Sequence, residues 1–109
     1  MLPSAEAHYL RHVINNQEWP EGTTLADYVT TIRQVVQDLA SGVLLSRYQD
    51  ALQVGFMRRA GALRGPGGFA WVLVEYRVGF GHWTTAYQLD LEALYHPRRS
   101  DMHWLIEPQ

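Results

Sequence analysis

The sequence predicts one α+β domain, residues 1–109, in which two N-terminal helices are followed by a sheet of four to five strands at about residues 43–106. Residues 4–16 and 24–40 carry apolar side chains at steps of three and four, the spacing of a helix that buries one face. Beyond Gly42, short runs of β-branched and aromatic residues alternate with turn residues, a pattern typical of strands. A chain of 109 residues can build one core, and these elements use up its length.

The first predicted helix begins at Ser4, a common N-cap residue, and carries Glu6 in its first turn, where a negative charge complements the helix dipole. His8 and His12 lie one turn apart beside the apolar stripe, with His12 nearer its border and His8 further toward water. A histidine at such a border can face a cleft between helix and sheet. The stripe consists of Tyr9, Leu10, Val13 and Ile14.

The second helix has the clearest signal in the chain. Thr24, with Asp27 three residues later, resembles a capping box, and Ser41-Gly42 is a typical helix end. The broad apolar face indicates a scaffold element that packs on the rest of the domain. Its members are Leu25, Tyr28, Val29, Ile32, Val35, Val36 and Leu39.

Strands follow the helices. A polar turn at Gln49-Asp50 separates the first two, a glycine-rich run at residues 64–68 predicts a flexible connection, and Gly79-Phe80-Gly81 joins the last two into a hairpin. The tail, residues 95–109, can add an edge strand. The predicted strands are Val43–Tyr48, Gln53–Arg59, Phe69–Val78 and His82–Leu89.

The last of these strands presents two hydroxyl groups on one surface. Side chains two residues apart share a face of a strand, so Thr85 and Tyr87 are expected to project together with Trp83. A strand that only filled a core would more naturally carry Val or Ile at position 85. The two residues therefore mark a candidate binding surface, although packing or a cross-strand pair would use the same residue types.

Composition and charge limit the function classes. A net charge of −2 and a pI near 6.2 argue against strong nonspecific binding of nucleic acid. All nine basic residues are arginines, and five lie in the strand-rich middle of the chain. There they either contact phosphate through their planar guanidinium groups or form a solvated face of the sheet. The five are Arg47, Arg58, Arg59, Arg64 and Arg77.

The chain contains no cysteine, which excludes disulfides and thiolate chemistry and fits a reducing compartment. The longest apolar run, residues 69–74, is too short to cross a bilayer, and the N-terminus lacks a signal-peptide pattern. We expect a soluble protein.

No metal or cofactor is expected. His8 and His12 have a helical spacing that zinc could use, but the HEXXH motif is absent because Tyr9 stands where the glutamate would be. The run at residues 64–68 lacks a following Lys-Ser/Thr and precedes a strand, which favours a hairpin loop over a nucleotide-binding loop. None of the serines has the surroundings of a nucleophile elbow.

The remaining polar residues fit the cleavage of RNA without a metal. That reaction needs a base for the ribose 2′-OH, an acid for the departing 5′ oxygen, and cations or donors at the phosphate. Histidine titrates near neutral pH, arginine stays charged, and hydroxyl groups donate to nonbridging oxygens. The helix histidines, the strand arginines, Thr85 and Tyr87 supply these groups.

The order of these motifs resembles the barnase/EndoU/colicin E5/RelE (BECR) superfamily of small ribonucleases. It is most similar to the C-terminal toxin domains of contact-dependent inhibition and other polymorphic toxin systems, and to related phage-borne nucleases. The resemblance lies in a His-x-x-Lys/Arg-His helix, here His8-Tyr9-Leu10-Arg11-His12, and a Thr-x-Tyr on a late strand, here Thr85-Ala86-Tyr87, and it covers about residues 5–90. It implies helices packed on a twisted antiparallel sheet and a metal-independent endoribonuclease, often acting on tRNA.

Carried onto this sequence, the resemblance implies that His12 is the general base or acid, with His8 as its partner or as a substrate contact. Thr85 and Tyr87 would hold the phosphate, with Tyr87 also a candidate acid. Three arginines compete for the substrate-binding role, of which Arg64 and Arg47 are chosen and Arg58 is the alternative.

The resemblance further implies an RNA substrate such as tRNA and a cognate immunity protein that covers the active site, with no membrane partner. It places the action in the cytoplasm of a target bacterial cell, with delivery as the C-terminal part of a larger secreted effector.

Two other functions fit the same residues. A non-catalytic binding module, such as an immunity protein, an antitoxin or a phage accessory protein, would present Trp71, Trp83 and Tyr87 to another protein, since aromatic side chains and arginines commonly anchor interfaces. A ParE- or RelE-like toxin that acts at gyrase or the ribosome shares the fold class and would need a more basic surface.

Overall fold

The computed structural model describes residues 5–109, so the predicted N-cap Ser4 lies outside the described residues. The first helix begins as an α-helix and continues without a break into a wider π-helical segment. No helix of residues 5–109 has both the length and the apolar character needed to cross a membrane. The elements are α1 (Ala5–Tyr9) with its π-helical continuation (Leu10–Asn15), α2 (Leu25–Gln37), β1 (Gly42–Tyr48), β2 (Ala51–Arg59), β3 (Trp71–Arg77), β4 (Trp83–Leu89) and β5 (Arg99–Ile106), with short 3-10 turns at Gly61–Leu63 and Leu91–Tyr95.

The strands form one five-stranded antiparallel sheet in the order β4-β3-β2-β1-β5. The predicted α+β class is confirmed, because two N-terminal helices pack on this sheet. The tail forms β5, an edge strand beside β1. Register shifts between Val43 and Leu44 and between Leu45 and Arg47 interrupt the β1–β5 pairing, so this edge of the sheet is irregular.

The apolar side of α2 packs on one face of the sheet, as the sequence predicts. The capping box is confirmed: Asp27 N–H donates to Thr24 Oγ1 (3.1 Å), and Thr24 N–H donates to Asp27 Oδ2 (3.0 Å). Tyr28 also donates its hydroxyl to the Ala86 carbonyl of β4 (2.5 Å), which fixes the helix on the sheet. The core on this side includes Trp19, Tyr28, Ile32, Val35, Val72, Val74, Trp83 and Ala86.

The second helix ends earlier than the sequence predicts. Asp38 leaves the helix with φ −74° and ψ 122°, so α2 stops at Gln37. The Asp38 carboxylate accepts hydrogen bonds from a backbone N–H in the turn (2.9 Å) and from the Arg58 guanidinium (2.8 Å), and both bonds stabilise the departure from the helix. Leu39, expected on the apolar face, is almost fully exposed as a result.

The opposite face of the sheet is only half covered. The turn Leu91–Tyr95 buries Leu94 in a second, smaller core at one end of this face. Its buried members are Leu44, Met57, Leu73, Leu89 and Leu94. At the other end, β1 to β4 carry polar side chains and leave an open cleft. Helices therefore cover one face of the sheet, whereas half of the other face is an open polar surface.

A bulge in β4 separates Trp83 from the two hydroxyl residues. Glu75 pairs with Thr85 whereas the next residue, Tyr76, pairs with Trp83, so β4 contains one extra residue between them. The expectation that Trp83 shares a face with Thr85 and Tyr87 is wrong, since a one-residue insertion turns the preceding side chain to the other face. Trp83 is 8% exposed and packs in the α2 core, whereas Tyr87 contacts the second core.

The glycine-rich connection between β2 and β3 is docked on the segment that follows the first helix. Gly65 N–H donates to the Glu18 carbonyl and Gly67 N–H donates to the Gln17 carbonyl, both at 3.1 Å. A Cβ atom at Gly65 would lie 2.4 Å from the Trp19 carbonyl oxygen, so only glycine permits this approach of two backbones. The expected flexible connection is instead a fixed one, and it holds the segment that carries Glu18.

Gly65→Ala should lower the free energy of unfolding by about 2–3 kcal/mol, because the new methyl group forces two backbone segments apart. Gly81→Ala is the matched control, since a Cβ at that position meets no atom within 4 Å. We expect the control to change stability by less than about 0.5 kcal/mol. Urea unfolding followed by tryptophan fluorescence measures both values, and equal stability of the two variants would contradict the close approach at Gly65.

Candidate active site

An open cleft of about 360 Å³ lies on the half-covered face of the sheet. The π-helical segment forms one wall with Arg11 and His12. Charged, amide and hydroxyl groups dominate the lining, which suits a polar ligand held by several directed contacts. From the strands the lining includes Tyr48, Gln53, Glu75, Arg77, Thr85 and Tyr87.

The π-helical segment determines which side chains of the first helix reach the cleft. Asn16 N–H donates to the Arg11 carbonyl, five residues back, at 2.9 Å, which is the π-helical pattern. The wider turn changes the predicted stripe: Val13 is buried, whereas Leu10 and Ile14 are roughly half exposed. A sequence reading at 100° per residue cannot anticipate this rotation. π-helical turns occur frequently at functional sites.

The His12 imidazole is held from behind by Glu18. His12 Nδ1 lies 2.7 Å from Glu18 Oε2, and the two side chains are only 12% and 5% exposed. Glu18 Oε1 accepts the Gln88 backbone N–H at the edge of β4 (2.6 Å), and Oε2 also accepts from Asn16 Nδ2 (3.1 Å). Because a carboxylate can only accept hydrogen bonds, this contact fixes the proton of the neutral ring on Nδ1 and leaves Nε2 as the basic nitrogen.

Tyr87 lies beside His12 in the cleft. The two rings stack with centroids 5.6 Å apart and an interplanar angle of 23°. Burial, followed by the Glu75 carboxylate, raises the pKa of Tyr87 to about 12, although the charge of Arg99 opposes the shift. At neutral pH the phenol therefore stays protonated and can donate a hydrogen bond to an anion. Thr85, two residues earlier, lines the same cleft and adds a second hydroxyl.

A buried ion pair lies under the cleft. Arg99 of β5 binds Glu75 of β3 through two hydrogen bonds, Nη1 to Oε2 at 2.7 Å and Nη2 to Oε1 at 3.0 Å. Nη1 also donates to Ser46 Oγ at 2.9 Å, and the Arg99 and Glu75 side chains are 1% and 3% exposed. Gly55, which pairs with Glu75 in the sheet, adds no side chain beside the pair. The geometry fixes both carboxylate oxygens of Glu75.

Of the predicted catalytic residues, His12 lines the cleft with both hydroxyl residues, whereas His8 does not. The His8 ring stacks on His12 at 5.9 Å and contacts Trp83 at 5.7 Å. The sequence placed His8 toward water, but its Nδ1 is buried and has no hydrogen-bond partner among residues 5–109. Burial, followed by the charges of His12 and Arg11, lowers the pKa of His8. His8 thus packs behind His12 as a neutral ring.

Neither arginine chosen from the sequence lines the cleft. Arg47 lies on the other face of β1 from Tyr48 and is 3.6 Å from the Asp101 carboxylate. Arg64 donates two hydrogen bonds to the Gly68 carbonyl in the connection between β2 and β3, at 3.0 and 2.6 Å. The alternative, Arg58, pairs with the carboxylate that ends α2.

The charged groups of the cleft are not the two arginines chosen from the sequence. Arg11 and Arg77 line it, and Arg99 lies beneath. The position of Arg77 two residues after Glu75 was a usable signal, because such residues share a strand face. Glu18 lies in a stretch that reads only as a polar break, and Arg99 lies in a tail without a clear register, so neither gave a signal.

The aromatic residues that a binding module would present do not share one surface. Trp83 lies in the α2 core, on the opposite face of the sheet from Tyr87. Trp71 is half-buried under the Arg59 guanidinium, whose central carbon is 4.5 Å from the ring centroid. Trp71 and Tyr87 both pack on the second core, so these two share a face of the sheet and Trp83 does not.

Comparison with protein-family models, with characterised proteins and with solved structures finds no match for this chain. In the part of the chain that the structure describes, no group of three or more His, Asp or Glu side chains is arranged to hold a metal ion.

The lowered pKa of His8 predicts a loss of stability in mild acid. A histidine in the unfolded chain binds its proton near pH 6.5, whereas folded His8 stays neutral to a lower pH. The unfolded state then binds more protons, so the free energy of unfolding should fall as the pH drops below about 6.5. In urea unfolding at several pH values, the free energy of unfolding of His8→Leu should fall less in mild acid than that of the wild type. The control His103→Leu, at an exposed position of β5, should lose as much stability in mild acid as the wild type. An equal loss in His8→Leu would contradict the lowered pKa of His8.

Removing one partner of the Glu75–Arg99 pair should destabilise the fold strongly. Glu75→Leu leaves the Arg99 charge buried and unpaired, and Arg99→Met does the converse; each should cost about 3–5 kcal/mol. The double variant should lose at least about 2 kcal/mol less than the sum, because no buried charge remains. Strictly additive losses in this double-mutant cycle, measured by urea unfolding, would mean that the two groups do not interact.

Proposed function

We propose that this chain is a metal-independent endoribonuclease that cleaves RNA through attack of a ribose 2′-OH on the adjacent phosphate. The observation that supports the proposal most directly is that a histidine oriented by a carboxylate shares one cleft with two hydroxyl groups and two arginines. The resemblance to the BECR ribonucleases points to the same reaction.

In this reaction His12 Nε2 removes the proton of the 2′-OH. The 2′ oxygen forms a bond to phosphorus, the bond between phosphorus and the 5′ oxygen breaks, and the products are a 2′,3′-cyclic phosphate and a 5′-OH end. The departing 5′ oxygen takes a proton from Tyr87. Tyr87 recovers its proton by way of water from the protonated imidazole, whose ring stacks on it. Both residues therefore return to their starting states.

The positive charge needed at the phosphate comes from the arginines of the cleft. Among residues 5–109, neither Arg11 nor Arg77 forms a salt bridge with a carboxylate, so both charges are available to a ligand. Thr85 and Tyr87 add hydroxyl donors for nonbridging oxygens. Donors and charges fixed before the reaction stabilise negative charge as it develops in the transition state.

Histidine is a better candidate for the base than the carboxylate in the same cleft. Both oxygens of Glu75 accept short hydrogen bonds from Arg99, and the side chain is 3% exposed. A buried carboxylate with both oxygens bound to a guanidinium offers no free oxygen to the 2′-OH. His12 keeps one nitrogen without such a partner, which makes it the acceptor of choice.

The resemblance extends the proposal to substrate and partner. We infer tRNA as the RNA class, a cognate immunity protein that covers the cleft, and action in the cytoplasm of a target bacterial cell after delivery as part of a larger effector. The two exposed arginines of the cleft support a partner that offers acidic groups to this surface.

The direct test is incubation of the purified protein with total tRNA in EDTA. We expect fragments with 2′,3′-cyclic phosphate and 5′-OH ends. His12→Ala should lower the rate by about 10²–10⁴-fold, the range of a positioned acid–base group. Glu18→Gln should lower it by at least about tenfold, because its amide N–H would donate to Nδ1 and move the ring proton to Nε2.

His103→Ala is the matched histidine control, since this side chain is exposed on β5 and lies outside the cleft. It should cleave at the wild-type rate. Circular dichroism of every variant separates loss of chemistry from loss of fold. Absence of any cleavage by the wild type, or full activity of a folded His12→Ala variant, would overturn the proposal.

A further inference from the structure

One part of the cleft has features that the proposed reaction does not use. Gln53 on β2 and Tyr48 on β1 line the cleft two and three strands away from β4, which carries Thr85 and Tyr87. Adjacent strands are about 4.8 Å apart, so this region begins roughly 10 Å from the hydroxyl groups. Phosphate held near β4 would leave the attached nucleoside in reach of Gln53.

The Gln53 side chain has an unsatisfied acceptor. It is only 5% exposed, and its Oε1 is buried without a hydrogen-bond donor among residues 5–109. The nearby Glu75 carboxylate only accepts hydrogen bonds, and the hydroxyl of Ser46, the cross-strand neighbour on β1, forms no hydrogen bond to this oxygen. A buried acceptor without a partner costs free energy, so a ligand that supplies an N–H would be favoured here.

A comparison with another buried glutamine shows why the position of Gln53 matters. Gln88 also has an unpaired Oε1, but its Nε2 donates to the Leu63 carbonyl at 2.7 Å. Gln88 does not line the cleft, whereas Gln53 does. Of the two, Gln53 is therefore the one whose carboxamide lies beside the cleft, where a turn about its terminal torsion can present the oxygen to a ligand.

The neighbouring hairpin turn adds further recognition groups. Gln49 and Asp50 both have positive φ, 50° and 67°, a conformation that non-glycine residues adopt rarely. The Gln49 N–H donates to the Arg98 carbonyl at 2.9 Å, which supports this turn, and the Gln49 side chain lines the cleft. Tyr48, immediately before it, adds an aromatic ring. Aromatic rings stack on unpaired bases and carboxamides hydrogen-bond to base edges, so these three side chains suit such a ligand.

We propose that this region, formed by Tyr48, Gln49 and Gln53, binds one base of the RNA. A base N–H donates to Gln53 Oε1 while the base packs against Tyr48, so cleavage depends on the identity of a base next to the cut. The inference rests on the proposed nuclease function and adds sequence selectivity to it. Phosphate oxygens only accept hydrogen bonds and cannot satisfy Gln53, whereas a ribose hydroxyl could, and it would give no base preference.

The test is cleavage of a short random-sequence single-stranded RNA, with the new 5′-OH ends mapped by sequencing. The wild type should prefer one base, or one pair of bases, by at least about tenfold at a fixed position relative to the cut, as expected for a directed hydrogen-bond contact. Gln53→Met keeps the size of the side chain and removes the acceptor, so this preference should fall below about twofold. Gln53→Glu keeps an acceptor but loses the amide donor, so the preferred base should change.

Gln37→Met is the matched control, because this glutamine is exposed at the end of α2 and lies outside the cleft. It should keep the wild-type preference. Should Gln53→Met fail to fold, binding of labelled oligo(A), oligo(C) and oligo(U) to the His12→Ala variant provides the second measurement. Equal affinities for the three would then overturn the base site.

The outcomes separate the two proposals. A wild-type protein that cleaves no RNA overturns the nuclease function itself. Cleavage without base preference, or a preference that Gln53→Met retains, overturns the base site and leaves the nuclease function standing.

Discussion

Glu18 joins three separate parts of the chain, and the geometry of the cleft depends on it. Its oxygens contact His12 in the π-helical segment and the Gln88 backbone N–H on β4, while its own carbonyl accepts a bond from Gly65 in the connection between β2 and β3. Burial, followed by the charge of Glu18, also raises the pKa of Tyr28, the residue that fixes α2 on the sheet. The contacts of Glu18 therefore both orient the His12 imidazole and attach the first helix to the sheet.

The charges around the cleft fall into two groups. Arg99 is neutralised by Glu75 and supports the floor, whereas Arg11 and Arg77 keep their charges for a ligand. This explains how a chain with a net charge of −2 can still present a basic surface. The field at a cleft depends on the groups that line it, and the total charge of the protein says little about it.

The sequence predicted the fold class and the second helix because hydrophobic spacing reports directly which face of an element is buried. It also predicted that His12, Thr85 and Tyr87 lie close together, but it placed Trp83 on the wrong face of β4. Single-residue irregularities explain such errors: one extra residue in β4 and one wider helical turn each rotate side chains without a signal in the spacing.

Long-range pairing explains the remaining gap between sequence and structure. Arg99 meets Glu75 across 24 positions of the chain, and Glu18 meets Gln88 across 70. Spacing within an element carries no information about such partners, so both buried carboxylates of the site were missed. Arg47 lies outside the cleft for the same reason, since it approaches Asp101 on β5. Arg64 differs, because it binds the Gly68 carbonyl four residues away within the connection between β2 and β3.

The two borders of the sheet bear on the behaviour of the protein at high concentration. A strand with an unpaired border is a template for strands of other molecules, and proteins avoid this with charges, kinks and covering groups. At β4 the Glu18 side chain occupies the Gln88 N–H that an incoming strand would need. At β5 the hydrogen-bond ladder to β1 is interrupted, and Asp101 has a left-handed backbone (φ 52°) and a negative charge. These features make β5 a poor template for an incoming strand. Sheet-to-sheet polymerisation is thus disfavoured at both borders, and the same carboxylate that orients the imidazole protects one of them.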